Sequence, residues 1–238
     1  MAEPTLVAYA ESNFTDNVAG NTTGSLTWQS GDILYAIGLT ADQSMTMDTP
    51  TTAGANMGTF NLVSSPNAAS SARAYYWKAT ASGAGSGTIT VNVNAGSNRI
   101  GGLAVWQYRD VSAEGTPVLL NASANKTSSV TRGAANSHIL QGMVDWEAVN
   151  DVVTDPTPAT NATEREIVFV TGQCTFFVTS WGDQGATGTT AYGISNHTGT
   201  VKMTGVTLEV QGITGGGAAP VGAGLISSLA LSARRLVQ

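Results

Sequence analysis

Charge is what this chain has least of. Asp, Glu, Lys and Arg make up 11% of its 238 residues, against about 25% in an average soluble domain. Lysine stands only at Lys78, Lys126 and Lys202. A surface so short of charge has to be built from Thr, Ser, Asn, Gly and Gln, which suits β-rich extracellular or particle-associated proteins better than cytosolic enzymes. The net charge of −6 and the lone basic pair Arg234-Arg235 argue against a nucleic-acid partner, because neutralising phosphates takes clustered Lys or Arg.

Cysteine is nearly absent. With Cys174 alone no intrachain disulfide can form, so the fold must stand on packing. A chain of this length can do that, since it hides roughly 70–75% of its unfolded surface. Cys174, within Gly172-Gln-Cys-Thr-Phe-Phe-Val178, reads as a small buried hydrophobe. No run approaches the ~18 apolar residues of a membrane span, and no amphipathic helix of usable length precedes residue 212. Met1-Ala-Glu-Pro4 has no basic segment leading into an apolar one, so no signal peptide is expected.

What is present is extended chain. Arg99 to Val111 is apolar through Leu103-Ala-Val105 and then alternates Trp106 and Tyr108 against Gln107 and Arg109. It reads as a central strand running from a buried middle to a wetter end. Ile33-Leu-Tyr-Ala-Ile-Gly-Leu39 lies between turn signals and is too short for a helix, so it reads as an inner strand. Thr88 to Val93 alternates, with Ile89, Val91 and Val93 on one face. Met45 and Met47 share a face of another strand and read as core, not ligands. Gly83-Ala-Gly-Ser-Gly87 reads as a flexible turn, and Asp151 to Thr163 as a loop broken by Pro156 and Pro158. Beyond Val111 the alternation resumes with different punctuation. Short strands with turns every 8–12 residues predict an all-β fold, a two-sheet antiparallel β-sandwich of jelly-roll type over residues 1–211. Residues 212–217 form a glycine-rich linker. Residues 218–238 form an apolar tail carrying Val221, Leu225, Ile226, Leu229, Leu231 and Leu236. Such a tail is an aggregation liability unless it docks, so it is read as an assembly element.

Residues that could carry chemistry are few and scattered. His138 and His197 make no metal signature; His138, beside Ile139-Leu140, reads as structural. No Asp-x-Asp-x-Asp calcium loop and no nucleophile elbow is present, so no metal, cofactor or catalytic residue is expected. Asp145, Glu147, Asp151 and Asp183 are glycosidase candidates by residue type only. Trp146 and Trp181 each lie beside an acid at a predicted strand end. That pairing could serve contact with a glycan, and it better suits rings that close the end of a core. Asn-x-Ser/Thr sequons are set aside as chance in an Asn- and Thr-rich chain without a signal peptide.

Five segments, Ser30 to Ile37, Ala74 to Thr80, Gly102 to Asp110, Val178 to Gly185 and Val206 to Val210, together resemble a β-sandwich module of tailed bacteriophages and some bacterial surface proteins. In that module a Gly-Asp opening to an apolar strand, a Tyr-Trp-Lys strand and a strand ending in Tyr-Arg recur in this order. The chain is similar to minor tail and other virion structural proteins of phages that infect actinobacteria. The resemblance implies a non-enzymatic assembly or host-contact role in the virion, with capsid decoration or a carbohydrate-binding adhesion module as alternatives. The expected partners are other virion proteins, copies of the chain in a symmetric homo-oligomer such as a trimer, and a host surface glycan. A protein with an outer-surface composition and no export signal fits synthesis in the host cytoplasm and release by lysis.

Overall fold

The computed structural model describes residues 3–14, 19–42, 44–64, 72–94, 100–147, 155–170, 173–197 and 201–213. The tail residues Val221, Leu225, Ile226, Leu229, Leu231 and Leu236 lie outside them. All regular structure among the described residues is antiparallel β, as the alternating sequence requires.

The first half holds β1 (Thr5–Glu11), β2 (Gly20–Thr22), β3 (Leu26–Trp28), β4 (Ile33–Thr40), β5 (Thr46–Met47), β6 (Thr51–Thr52), β7 (Asn61–Ser64), β8 (Arg73–Thr80), β9 (Gly85–Gly87), β10 (Ile89–Asn94) and β11 (Gly101–Arg109). The second half holds β12 (Val111–Glu114), β13 (Val118–Ser123), β14 (Thr127–Arg132), β15 (His138–Asp145), β16 (Asp155–Thr157), β17 (Ala162–Val170), β18 (Cys174–Trp181), β19 (Gly188–Ser195) and β20 (Met203–Gly212).

The two halves repeat one strand order. A large sheet runs β1-β11-β4-β8-β7 in the first and β12-β20-β15-β18-β17 in the second, with β13 also on β20. A small sheet runs β2-β10-β5, with β6 on β10, and again β14-β19-β16; among the described residues the β3-β9 pair has no counterpart. Register agrees as well. Ile37 faces Ala104 and Tyr76 across its two neighbouring strands, and Gly142 faces Val206 and Val178 in the same way. The described residues therefore form the antiparallel β-sandwich that the sequence predicts, doubled into four layers, small, large, large, small.

Packing explains the four layers. One face of the first large sheet gives Leu34, Ala36, Tyr75, Trp77, Leu103 and Val105 to a core shared with Ile89, Val91, Val93, Met45 and Met47. Its other face gives Tyr35, Ile37, Tyr76, Trp106 and Tyr108 to a seam shared with Leu140, Phe176, Val178, Val206, Leu208 and Val210. A sheet covered on both sides needs apolar residues at consecutive positions, which is why β4 reads as an unbroken run. Each large side chain so buried contributes about 1.5–3 kcal/mol. Half a dozen of them match the ~5–15 kcal/mol net stability of a whole domain, so the seam is integral to the fold.

Two local expectations change. Gln107 is fully buried, not wet, and donates to Asp32 Oδ2 (2.8 Å) and Thr27 O (2.9 Å). The glycines of residues 83–87 include strand β9, not only a turn, because Trp28 lies against them. A Cβ on Gly85 would stand 2.3 Å from Ala55 O and 2.7 Å from Trp28 Nε1. Asp155–Thr157, inside the expected loop, pairs with β19 as an edge strand, the one sheet position that tolerates Pro156.

Equivalent positions meet at the seam. A Cβ on Gly142 would lie 2.6 Å from Ile37 Cγ2, so the isoleucine of one half fills the space that glycine leaves in the other. Gly142→Val is expected to destabilise the protein by about 1–3 kcal/mol through overpacking, and Ile37→Ala to relieve part of that loss in the double variant. Denaturant unfolding of the four proteins measures the coupling; strict additivity would contradict the contact.

Candidate functional site

Along the seam, β1 of the first half lies against β17 of the second, and a row of ionisable and aromatic side chains bridges the two there. At one end Glu3 reaches across to His138, with His138 Nε2 2.5 Å from Glu3 Oε1 and His138 Nδ1 2.9 Å from the Tyr108 hydroxyl. With a neutral ring one arrangement satisfies both contacts: Tyr108 O–H donates to Nδ1, and Nε2–H donates to the carboxylate. Asp183 N–H donates to the same Glu3 oxygen at 3.2 Å. These groups border a cleft of about 490 Å³ whose back wall includes Trp181.

Midway along, the Arg165 guanidinium stands 5.2 Å from the Tyr9 ring centroid, a cation–π contact, while its Nε donates to Ser180 Oγ at 2.9 Å. At the far end Glu11 and Glu166 line a second, smaller cavity of about 240 Å³. The Tyr9 hydroxyl donates to Glu11. Burial, together with the hydrogen bond and charge of Glu11 and the charge of Glu164, pushes the Glu166 carboxyl up from 4.5 to about 7. Burial, then the hydrogen bond and charge of Glu11, raises the Tyr9 phenol beyond its usual range.

The residues singled out in the sequence are dispersed. Trp181 is fully buried, donates from Nε1 to Pro158 O at 2.7 Å and meets Tyr192 edge-on at 5.2 Å. It closes the end of the second-half core and offers no exposed stacking face, so the expectation of a glycan stacked on Trp181 is corrected. Trp146 is half-buried against the seam. Asp145 is fully buried and binds His197 Nε2 at 2.5 Å through Oδ2, while its Oδ1 accepts from the backbone N–H groups of Glu147 and Lys202. Glu147 pairs with Lys202. Asp183 lies beyond the opposite end of β15 from Asp145, since Ile139 faces Trp181 and Asp145 faces Thr175; at about 3.4 Å per residue that is roughly 20 Å. Asp151 falls outside the described residues. Asp145 and Asp183 thus do not share a cleft.

Other reactive types are used up in packing. Cys174 is fully buried, and burial with the charge of Asp145 pushes its thiol up to about 12, which leaves little thiolate for nucleophilic work. Burial works to raise the Asp32 carboxyl, but hydrogen bonds from Arg109, Gln29 and Gln107 outweigh it and hold the group below its usual range. Among the described residues no group of three or more His, Cys, Asp or Glu is placed to hold a metal, and no helix is long and apolar enough to cross a membrane.

The sequence reading passed over Glu3, Glu11, Arg165 and Glu166. One signal was available: Glu164-Arg165-Glu166 is a run of consecutive charges in a chain that is 11% charged. No family model, curated protein or solved structure matches the chain.

The Glu11–Glu166 contact makes the seam sensitive to pH. A carboxyl whose folded value is raised gives stability that is complete below its unfolded value near 4.5 and lost as pH rises through about 7. The melting temperature is expected to fall between pH 5 and pH 8, and Glu166→Gln to flatten that portion of the profile. An unchanged slope in the variant would contradict the assignment.

Proposed function

We propose that the chain is a non-enzymatic structural component of a tailed-bacteriophage virion, a minor tail protein. It joins neighbouring subunits through residues 218–238 and displays its polar loops outward. The observation that carries this reading is where the phage-like segments fall. Ser30 to Ile37 leads into β4, Ala74 to Thr80 lies in β8, Gly102 to Asp110 in β11, Val178 to Gly185 at the end of β18 and beyond, and Val206 to Val210 in β20. These are the strands of the two large sheets, so the shared pattern specifies a scaffold and not a reactive centre.

Three further observations support it. The outer faces of the small sheets are polar but uncharged at their centres, with Thr22 and Thr90 hydroxyls 2.9 Å apart on one and Thr131 and Thr189 hydroxyls 2.8 Å apart on the other. Two buried acids serve as buckles, Asp32 with Arg109 and Asp145 with His197. Ile213, the last described residue, is 44% exposed, and its N–H donates to Asp110 O at 3.0 Å. The described chain therefore ends beside the junction of the two halves, a place from which an anchor could carry both. In this reading the partners are other virion proteins and further copies of the chain in a symmetric oligomer, a trimer being one form, and the protein resides on the virion.

Deleting residues 218–238 is expected to leave a folded, soluble module with a melting temperature close to that of the full chain, yet one that no longer joins particles. Incorporation is measured by quantifying the subunit in purified virions. Full occupancy by the truncated form would contradict the anchoring role.

A further inference from the structure

We infer that the seam cleft between the two halves is a binding site for a neutral saccharide, a mono- or disaccharide unit. This goes beyond the structural reading and does not rest on it: a scaffold protein can have or lack such a site, and the site can exist on a chain with another role.

The cleft of about 490 Å³ falls within the ~300–1,000 Å³ typical of small-ligand sites. Its walls come from both halves, Glu3 and Tyr108 from the first, and His138, Thr163, Arg165 and Asp183 from the second. Several of these groups are locked before any ligand arrives. The Tyr108–His138–Glu3 chain fixes one carboxylate, Gly185 N–H fixes Asp183 through Oδ1 at 2.8 Å, and Ser180 with the Tyr9 ring fixes the Arg165 guanidinium. Rigid polar groups spare a ligand the entropy of ordering them.

Each fixed group keeps bonding capacity in reserve. Among the described residues Glu3 Oε1 takes the His138 and Asp183 bonds and Asp183 Oδ1 the Gly185 bond, which leaves Glu3 Oε2 and Asp183 Oδ2 for a ligand. Among the described residues the guanidinium of Arg165 has no ion-pair partner, unlike Arg109, Lys78 and Lys202. Spare acceptors beside a spare planar donor suit a sugar ring, whose every hydroxyl both donates and accepts.

Charge selects the neutral class. Glu3 and Asp183 border the cleft with Arg165, while Glu164, Glu166 and Glu11 continue along the same seam, within a chain of net charge −6. A phosphate or uronate would meet more carboxylates than cations. Because Tyr108 and Trp181 are fully buried and offer no open ring face, the affinity is expected in the millimolar range.

Saturation-transfer NMR on the full chain tests this, with glucose, galactose, mannose and N-acetylglucosamine as probes and glucuronate as the charged counterpart. Transfer to at least one neutral hexose is expected, with glucuronate at least about five-fold weaker. Thr163→Trp, which adds bulk at an exposed position on the cleft wall, is expected to abolish transfer. Asp183→Asn, which keeps the shape and the acceptor for Gly185, is expected to weaken it several-fold, with both variants melting like the parent. No transfer to any of the four hexoses, glucuronate binding equal to or tighter than theirs, or full binding by both variants would overturn the proposal.

Discussion

The apolar seam between the two large sheets is the constraint on which the rest of the molecule depends. Trp106, Tyr108, Tyr35 and Ile37 from one half lock against Leu140, Val178, Leu208 and Val210 from the other. Sheets covered on both faces have no solvent side on which to place charge, and this contributes to the low charge content of the chain. The four layers follow: each large sheet is an interior layer, and only the small sheets and the edges face water. Because β4 and β15 occupy the same place in their halves and meet at Ile37 and Gly142, the halves pack like the two partners of a self-complementary dimer joined in one chain.

The few ionisable groups work at the margins of the apolar clusters. Asp32, fully buried, takes two bonds from Arg109 at 2.7 and 2.9 Å and one from Gln107, which ties the entry of β4 to the exit of β11. Asp145 and His197 hold the opposite end of the second half in the same manner. The contacts along β1 and β17 differ, since they bridge the halves and leave some capacity unused. Structural roles therefore account for the buried pairs, whereas the seam clefts are where recognition can be added to a scaffold without disturbing it.

How much of this was legible in the sequence follows from which faces meet water. The Thr88 to Val93 alternation identified β10, because one of its faces is exposed and the other buried. Strands of the seam carry no such alternation: β15 and β18 are buried at every position, so their pattern declares a strand but not how many sheets cover it. The repeat was hidden for a related reason. Equivalent seam positions hold Tyr35 and Leu140, Trp106 and Leu208, Tyr108 and Val210, which share hydrophobicity and nothing else. The candidate site was least legible, because Glu3 and His138 are 135 positions apart and no local motif links them. Trp181 was visible as a residue, but only the packing of Tyr192 decides that its ring faces inward.

If one shared core holds the halves together, neither can unfold while the other stays native. Differential scanning calorimetry of the chain at neutral pH measures this most directly. The account predicts a single endotherm whose calorimetric and van't Hoff enthalpies agree. Two resolved transitions, each with the enthalpy of half the chain, would contradict it.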